Sequence, residues 1–166
     1  ATQNAASVDH DLFSVASGGV LTFATAPNYE SAGCGSGDDS NTCAVVIQVT
    51  DGANTDTITV TVNVQDVNEF SPVFGDGDTA TATPNENQQA VGTYAASDAD
   101  GTATQTYSIL TATQNAASVD HDLFSVASGG VLTFATAPNY ESAGCGSGDD
   151  SNTCAVVIQV TDGANT

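Results

Sequence analysis

Thr57-Ile58-Thr59-Val60-Thr61-Val62-Asn63-Val64 alternates polar and apolar residues without a break. Successive side chains of an extended strand point to opposite faces, so this period of two puts Ile58, Val60, Val62 and Val64 on one face. The pattern predicts a strand that buries those four residues. Shorter runs of the same kind occupy residues 12–15, 20–24, 44–50 and 106–110, with Gly, Asn, Asp and Ser clusters between them. No stretch has the apolar period of a helix. Short strands with regular turn signals predict an all-β chain built as a β-sandwich.

Moving outward from that strand, the sequence repeats. Residues 1–55 recur unchanged as residues 112–166, a period of 111 residues in a chain of 166. A period near one hundred residues is the size of a whole small domain, too long for a helical-hairpin repeat. The expected organisation is a tandem array. Residues 1–70 form the C-terminal part of one repeat, and residues 71–166 form the next repeat without its last strand. The chain holds two copies of the 55-residue block but one copy of residues 56–111. Exchange between neighbouring chains therefore cannot complete every domain, and the expectation is a polypeptide that continues at both ends.

Composition narrows the function. The chain has no Lys or Arg and 20 acidic residues, a formal net charge of −20. Such a surface repels phosphate backbones and anionic lipid heads, which argues against nucleic-acid and membrane-surface binding. No apolar run is long enough to span a bilayer. Arginine clamps and lysine nucleophiles are excluded, and no nucleophile elbow, phosphate-cradling loop or dinucleotide fingerprint is present. The expectation is a protein that is not an enzyme. This much like charge either lies spread in salty water or surrounds a divalent cation.

Five stretches bear on that choice. Asp66-Val67-Asn68-Glu69-Phe70-Ser71-Pro72-Val73-Phe74 resembles the interdomain linker D-x-N-D-N-x-P-x-F of cadherin repeats. Asp98-Ala99-Asp100-Gly101 resembles their D-x-D motif. Pro27-Asn28-Tyr29-Glu30, repeated at residues 138–141, resembles L-D-x-E. Val49-Thr50-Asp51-Gly52, repeated at residues 160–163, resembles A-x-D-x-G. Glu86 stands where the family carries an N-terminal glutamate. Their order and spacing agree along the whole chain, so the chain resembles a cadherin-like tandem repeat of the bacterial type. The resemblance implies Ig-like, Greek-key β-sandwich domains joined by a linker at residues 66–74, with calcium bound where successive domains meet.

Carried over residue by residue, the resemblance gives Glu30, Asp66, Asn68 and Glu69 as ligands from the first domain and linker. Asp98, Asp100 and Asp162 come from the second. Glu86 and Glu141 serve the next junction along, and Asp51 the one before. Hard carboxylate, amide and carbonyl oxygens are what calcium takes, six to eight at a time, and no Cys/His spacing suits zinc. Three positions depart from the family: Asn28 for Asp, Glu69 for the linker Asp, and Phe70 for Asn. Fewer charges weaken the outermost ion, so two or three ions are expected per junction, two being preferred. One period, residues 56–166, holds 14 acidic residues, and seven of them fall at these positions.

Cys34 and Cys43 bracket an acidic Gly/Ser/Asp loop that Cys145 and Cys154 repeat. Four cysteines allow three pairings. The local pairs Cys34–Cys43 and Cys145–Cys154 are favoured, because each repeat then carries its own closed loop. A disulfide in turn implies an oxidising, extracellular setting. Asp9-His10-Asp11 is expected to be a surface turn ahead of the strand at Leu12, and Asp76-Gly77-Asp78 another. The functional expectation is a structural segment of an extracellular filament or stalk, stiffened by calcium at its junctions. Its partners would be copies of itself, in series and through lateral association. The alternative is the repeat stalk of a large calcium-dependent cell-surface adhesin.

Overall fold

Eleven short strands carry the fold among the described residues, with three one-turn 3-10 helices at His10–Leu12, His121–Leu123 and Ser128–Gly130. The computed structural model describes residues 8–35, 40–101, 104–142, 144–145 and 152–166. The acidic loops between the cysteines fall largely outside that set. The chain divides into two compact units, Ala1–Val67 and Asn68–Thr166.

The first unit is made of two antiparallel hairpins. Strand β1 (Phe13–Val15) pairs with β2 (Leu21–Phe23), placing Phe13 opposite Phe23 with ring centroids 4.5 Å apart. Strand β3 (Thr42–Thr50) pairs with β4 (Thr55–Asn63) over its whole length, from Thr42 opposite Asn63 to Thr50 opposite Thr55. The turn between them is Asp51-Gly52-Ala53-Asn54. Asp51 Oδ1 accepts the N–H groups of Ala53 and Asn54 there, at 2.9 and 2.7 Å. Side-chain capture of nearby backbone donors is why Asp favours turns.

The core of this unit is small: Cys34, Cys43, Val45 and the carboxylate of Asp9 are buried. The Cys34–Cys43 disulfide closes across it. One expectation fails here. None of Ile58, Val60, Val62 and Val64 is buried, and Ile58 is 61% exposed. Alternation fixes which residues share a face, but burial needs a second layer over that face. Among its described residues the first unit has no strands equivalent to those that residues 71–111 supply in the second.

The second unit contains β5 (Val73–Phe74), β6 (Ala90–Thr93), β7 (Ala96–Ser97), β8 (Thr106–Ile109), β9 (Phe124–Ala127), β10 (Val131–Phe134) and β11 (Ile158–Thr161). They pair antiparallel as β5–β7, β6–β10–β9 and β8–β11. Leu132, Phe134, Val160 and Cys145 form the core, and Cys145 is bonded to Cys154. Phe74 and Phe124 pack with tilted rings against Tyr107 and Phe134, with centroids 6.3 and 4.7 Å apart. The sequence pattern did not reveal β5, β6 or β7, which are too short to show alternation.

The two copies of the 55-residue block are an internal control on burial. Val49 is 67% exposed, whereas the identical position in the second copy, Val160, is 4% exposed. Leu21 and Phe23 are half-buried where Leu132 and Phe134 are buried. Same residues, different cover.

The Asp-His-Asp reading is corrected in part. Asp11 is exposed, but Asp9 and Asp120 are buried. Asp9 accepts the N–H groups of Gly35 and Ala44 at 2.6 and 2.7 Å, and Asp120 accepts that of Ala155 at 2.7 Å. These carboxylates satisfy backbone donors that, among the described residues, no strand reaches, a structural task that the local sequence does not disclose.

Candidate metal centre

Pairing within the second unit brings three loops to one end. Strands β8 and β11 are antiparallel with Thr161 opposite Thr106, so the segment after β11 and the segment before β8 leave the sheet together. Antiparallel pairing of β5 with β7 places Val73 opposite Ser97, which brings the linker residues before β5 alongside those after β7. Asp162, Asp98 and Asp100, and Asn68 with Phe70, therefore share one locality.

Local turns aim the carboxylates. Asp98 Oδ1 accepts the Asp100 N–H at 3.0 Å, folding the Asp98-Ala99-Asp100 loop on itself. Asp100 is 4% exposed, and its Oδ2 accepts the Phe70 N–H at 3.0 Å. Asp162 Oδ1 accepts the N–H groups of Asn165 and Ala164 at 2.6 and 2.8 Å. Gly163 makes that turn at φ +98, the left-handed region that favours glycine. The Asn165 N–H holds the Asp162 carboxyl below its usual value; desolvation opposes it, while the Ala164 N–H and the side chains of Asn165 and Asn68 add to the lowering. Asp51, in the equivalent turn of the first unit, is lowered in the same way, chiefly by the Asn54 N–H.

The result is a cluster in which Asp98, Asp100 and Asp162 each present a carboxylate oxygen within 4.8 Å of the others. Asp98 Oδ2 is buried and has no hydrogen-bond partner among the described residues. A buried anionic oxygen left without a donor is costly, and the sequence has no Lys or Arg to neutralise it. The oxygens of Asn68 and Phe70 lie at the edge of the cluster, where Asn165 Nδ2 donates to both at 2.8 and 2.9 Å. Carboxylate, amide and carbonyl oxygens without sulfur or imidazole form a donor set for a hard cation such as calcium. The residues present fit that ion.

Among the residues expected as ligands, Asp98, Asp100 and Asp162 are brought together, with Asn68 linked to them through Asn165. In the first unit Glu30 and Asp66 bring carboxylate oxygens within 4.8 Å of each other. The loop carrying Glu30 is set by its N–H donating to Asn28 Oδ1 at 3.0 Å and by Asn41 Nδ2 donating to the Tyr29 carbonyl at 2.9 Å. Elsewhere in the second unit, Glu86 Oε2 accepts the Tyr140 N–H at 3.0 Å, which puts it next to Glu141 in sequence; both glutamates are exposed. Glu69 and Asp51 are exposed and belong to neither cluster.

Asn165 is the residue of this candidate site that motif reading overlooked. Its signal was available: Asp-Gly-Ala-Asn occurs at both 51–54 and 162–165, and in the second copy the Asn165 amide ties the turn to the linker.

No family model and no curated protein matches the chain. Solved structures do match. Mouse protocadherin-24 EC1-3 aligns at TM-score 0.54 and 23% identity over 80% of this chain and 40% of that one. Mouse clustered PcdhgC3 EC1-3 aligns at TM-score 0.61 and 19% identity over 92% of this chain and 47% of that one. Human protocadherin-24 EC1-2 aligns at TM-score 0.53 and 19% identity over 90% and 71%. The chain thus spans less than half the length of the two mouse chains. At these identities the likeness shows the fold alone: an all-β chain with a cadherin-like, immunoglobulin-type fold. Among the described residues no helix is long and apolar enough to cross a membrane.

Proposed function

We propose that this chain is a calcium-binding structural segment of an extracellular repeat filament or stalk. The observation that supports it best is the convergence of Asp98, Asp100 and Asp162, with a buried Asp98 oxygen that no donor among the described residues reaches. Asp98, Asp100, Asp162 and Asn68 would hold calcium, and the Phe70 carbonyl is within reach of the same set. By the order of motifs, Glu30, Asp66 and Glu69 add to the ligands where one repeat follows another, with two ions per junction. Calcium supplies charge neutralisation and a fixed set of oxygen bonds. The carboxylates repel one another without it, and with it the loops that carry them become a single rigid cluster. Sequence repetition at a period of 111 residues suits a spacing role, since one active site needs no copying.

Extracellular calcium modules work at dissociation constants of about 10⁻⁴–10⁻³ M. Calorimetric titration of the purified chain should give binding in that range, with a calcium-to-chain ratio measured by native mass spectrometry. Asp98→Asn combined with Asp162→Asn should weaken it by at least about tenfold, as expected for losing two charged ligands. Binding no weaker in the double variant than in the parent would refute this assignment of ligands. Imaging repeat arrays with and without chelator tests the mechanical role; unchanged stiffness after chelation would refute it.

A further inference from the structure

One neutral side chain gathers oxygens from two of the loops that meet at the acidic cluster. Asn165 Nδ2 lies 2.8 Å from Asn68 Oδ1, 2.9 Å from the Phe70 carbonyl oxygen and 3.2 Å from Asp162 Oδ2. Asn68 and Phe70 are linker residues ahead of β5, whereas Asp162 and Asn165 belong to the turn after β11. In a chain without Lys or Arg, holding such oxygens together falls mainly to neutral donors or to a cation. A carboxamide nitrogen carries two hydrogens, and three oxygens share them here; each of those oxygens keeps a further lone pair. Asn165 can therefore hold the three in place without exhausting them as ligands.

The turn sets where that amide goes. Asp162 Oδ1 accepts the N–H groups of Ala164 and Asn165, and the Asp162 N–H donates to the Asn165 carbonyl at 3.3 Å. The same turn forms at Asp51–Asn54, where the Asn54 side chain is exposed and meets Asp51. Asp-Gly-Ala-Asn thus folds by itself, and the linker contacts of half-buried Asn165 are an additional property of the second copy. The linker has another tie to the cluster, the Phe70 N–H on Asp100 Oδ2 at 3.0 Å, which fixes its backbone at one point.

We infer that Asn165 is a positioning residue for the calcium site. It holds the Asn68 and Phe70 oxygens against Asp162 in the metal-free chain, so the linker ligands are already ordered when the ion arrives. The inference rests on the calcium reading of the cluster. Ordering a ligand beforehand raises affinity, because the cost of fixing it falls on folding and not on binding. Outer partners that orient metal ligands are typically worth about 10–100-fold in metal affinity.

The test compares the purified 166-residue chain with Asn165→Ala and with Asn54→Ala, which removes the same side chain from the matching turn. In chelator, exchange of the Phe70 amide should quicken by roughly tenfold in Asn165→Ala, the effect of about one net hydrogen bond, and keep the parent rate in Asn54→Ala. Parent-level protection of the Leu132 and Phe134 amides reports an intact fold. By calorimetry Asn165→Ala should bind calcium about tenfold or more weakly, and Asn54→Ala should match the parent. Unchanged exchange at Phe70 would overturn the inference. So would calcium binding in Asn165→Ala as tight as in the parent or tighter, since the amide would then be a structural tie or a competitor of the ion. A parent that bound no calcium would sink the functional reading and this inference with it, whereas parental binding that survives Asn165→Ala sinks the inference alone.

Discussion

Replacing Asp100 by Asn separates the charge of the acidic cluster from its hydrogen bonding. Asn keeps a carbonyl oxygen that can accept the Phe70 N–H, now held by Asp100 Oδ2 at 3.0 Å. It removes one charge from a site where carboxylate oxygens lie within 4.8 Å of one another. Two unit charges at about 4.8 Å repel by about 3–4 kcal/mol at an effective dielectric of about 20. Water and salt reach half-buried Asp98, which lowers the share recovered by Asp100→Asn to about 1–2 kcal/mol. In chelator the variant should therefore be more stable than the parent by that amount. For a domain of this size each kcal/mol raises Tm by about 4–8 °C. Calcium reverses the advantage of the charge. A parent site with Kd of about 10⁻⁴ M gains about 2.7 kcal/mol at about 100-fold excess calcium, and a site about tenfold weaker gains about 1.4 kcal/mol. Thermal melts by circular dichroism, in chelator and in about 10 mM calcium, should show the variant higher in the first and its calcium-induced rise cut to about half or less. A variant destabilised equally in both would mean that Asp100 serves only as a backbone cap, and the electrostatic reasoning would fail.

Three further outcomes are expected. Gly130 and Gly19 occupy the same place in the repeated block, both at positive φ, but a Cβ on Gly130 would overlap the Tyr94 carbonyl while one on Gly19 meets nothing within 4 Å. Gly19→Ala should cost about 1 kcal/mol and Gly130→Ala about 3 kcal/mol or more, measured by urea unfolding. Asp120→Ala removes the buried carboxylate that accepts the Ala155 N–H at 2.7 Å, and should cost about 1–3 kcal/mol with faster exchange of that amide. The Asp51 and Asp162 carboxyls titrate below the ordinary 3.8 in the folded chain. Their contribution to stability is thus fully present above pH 3.8 and is lost as pH falls through the lower folded values. Carboxyl titration by NMR in chelator should show both protonating only below the ordinary 3.8.

The strong signals in the sequence were local or repetitive. Alternation at residues 57–64 gave β4, and Asp-x-Asp and Asp-Gly-Ala-Asn are loops that hold their carboxylates by hydrogen bonds two or three residues away. The motif order grouped Asp98, Asp100 and Asp162, because each lies just past the end of a strand. Asn165 was missed because its role spans 97 residues, from a turn to the amide of Asn68. Asp9 and Asp120 were misread because their partners lie 35 residues away at Ala44 and Ala155. Local pattern carries no information about such donors.

What the sequence alone determined is the period of 111 residues, the absence of any basic side chain but histidine, the β character and the turns. Each follows from composition or from steric preferences acting within a few residues. Only the tertiary structure decided burial and pairing. One 55-residue sequence occurs twice, yet it buries Val160 and exposes Val49, and gives β3 a partner on one edge and β11 a partner on the other. Apolar burial and strand pairing depend on what lies across the sheet, and residues far away in the chain supply it.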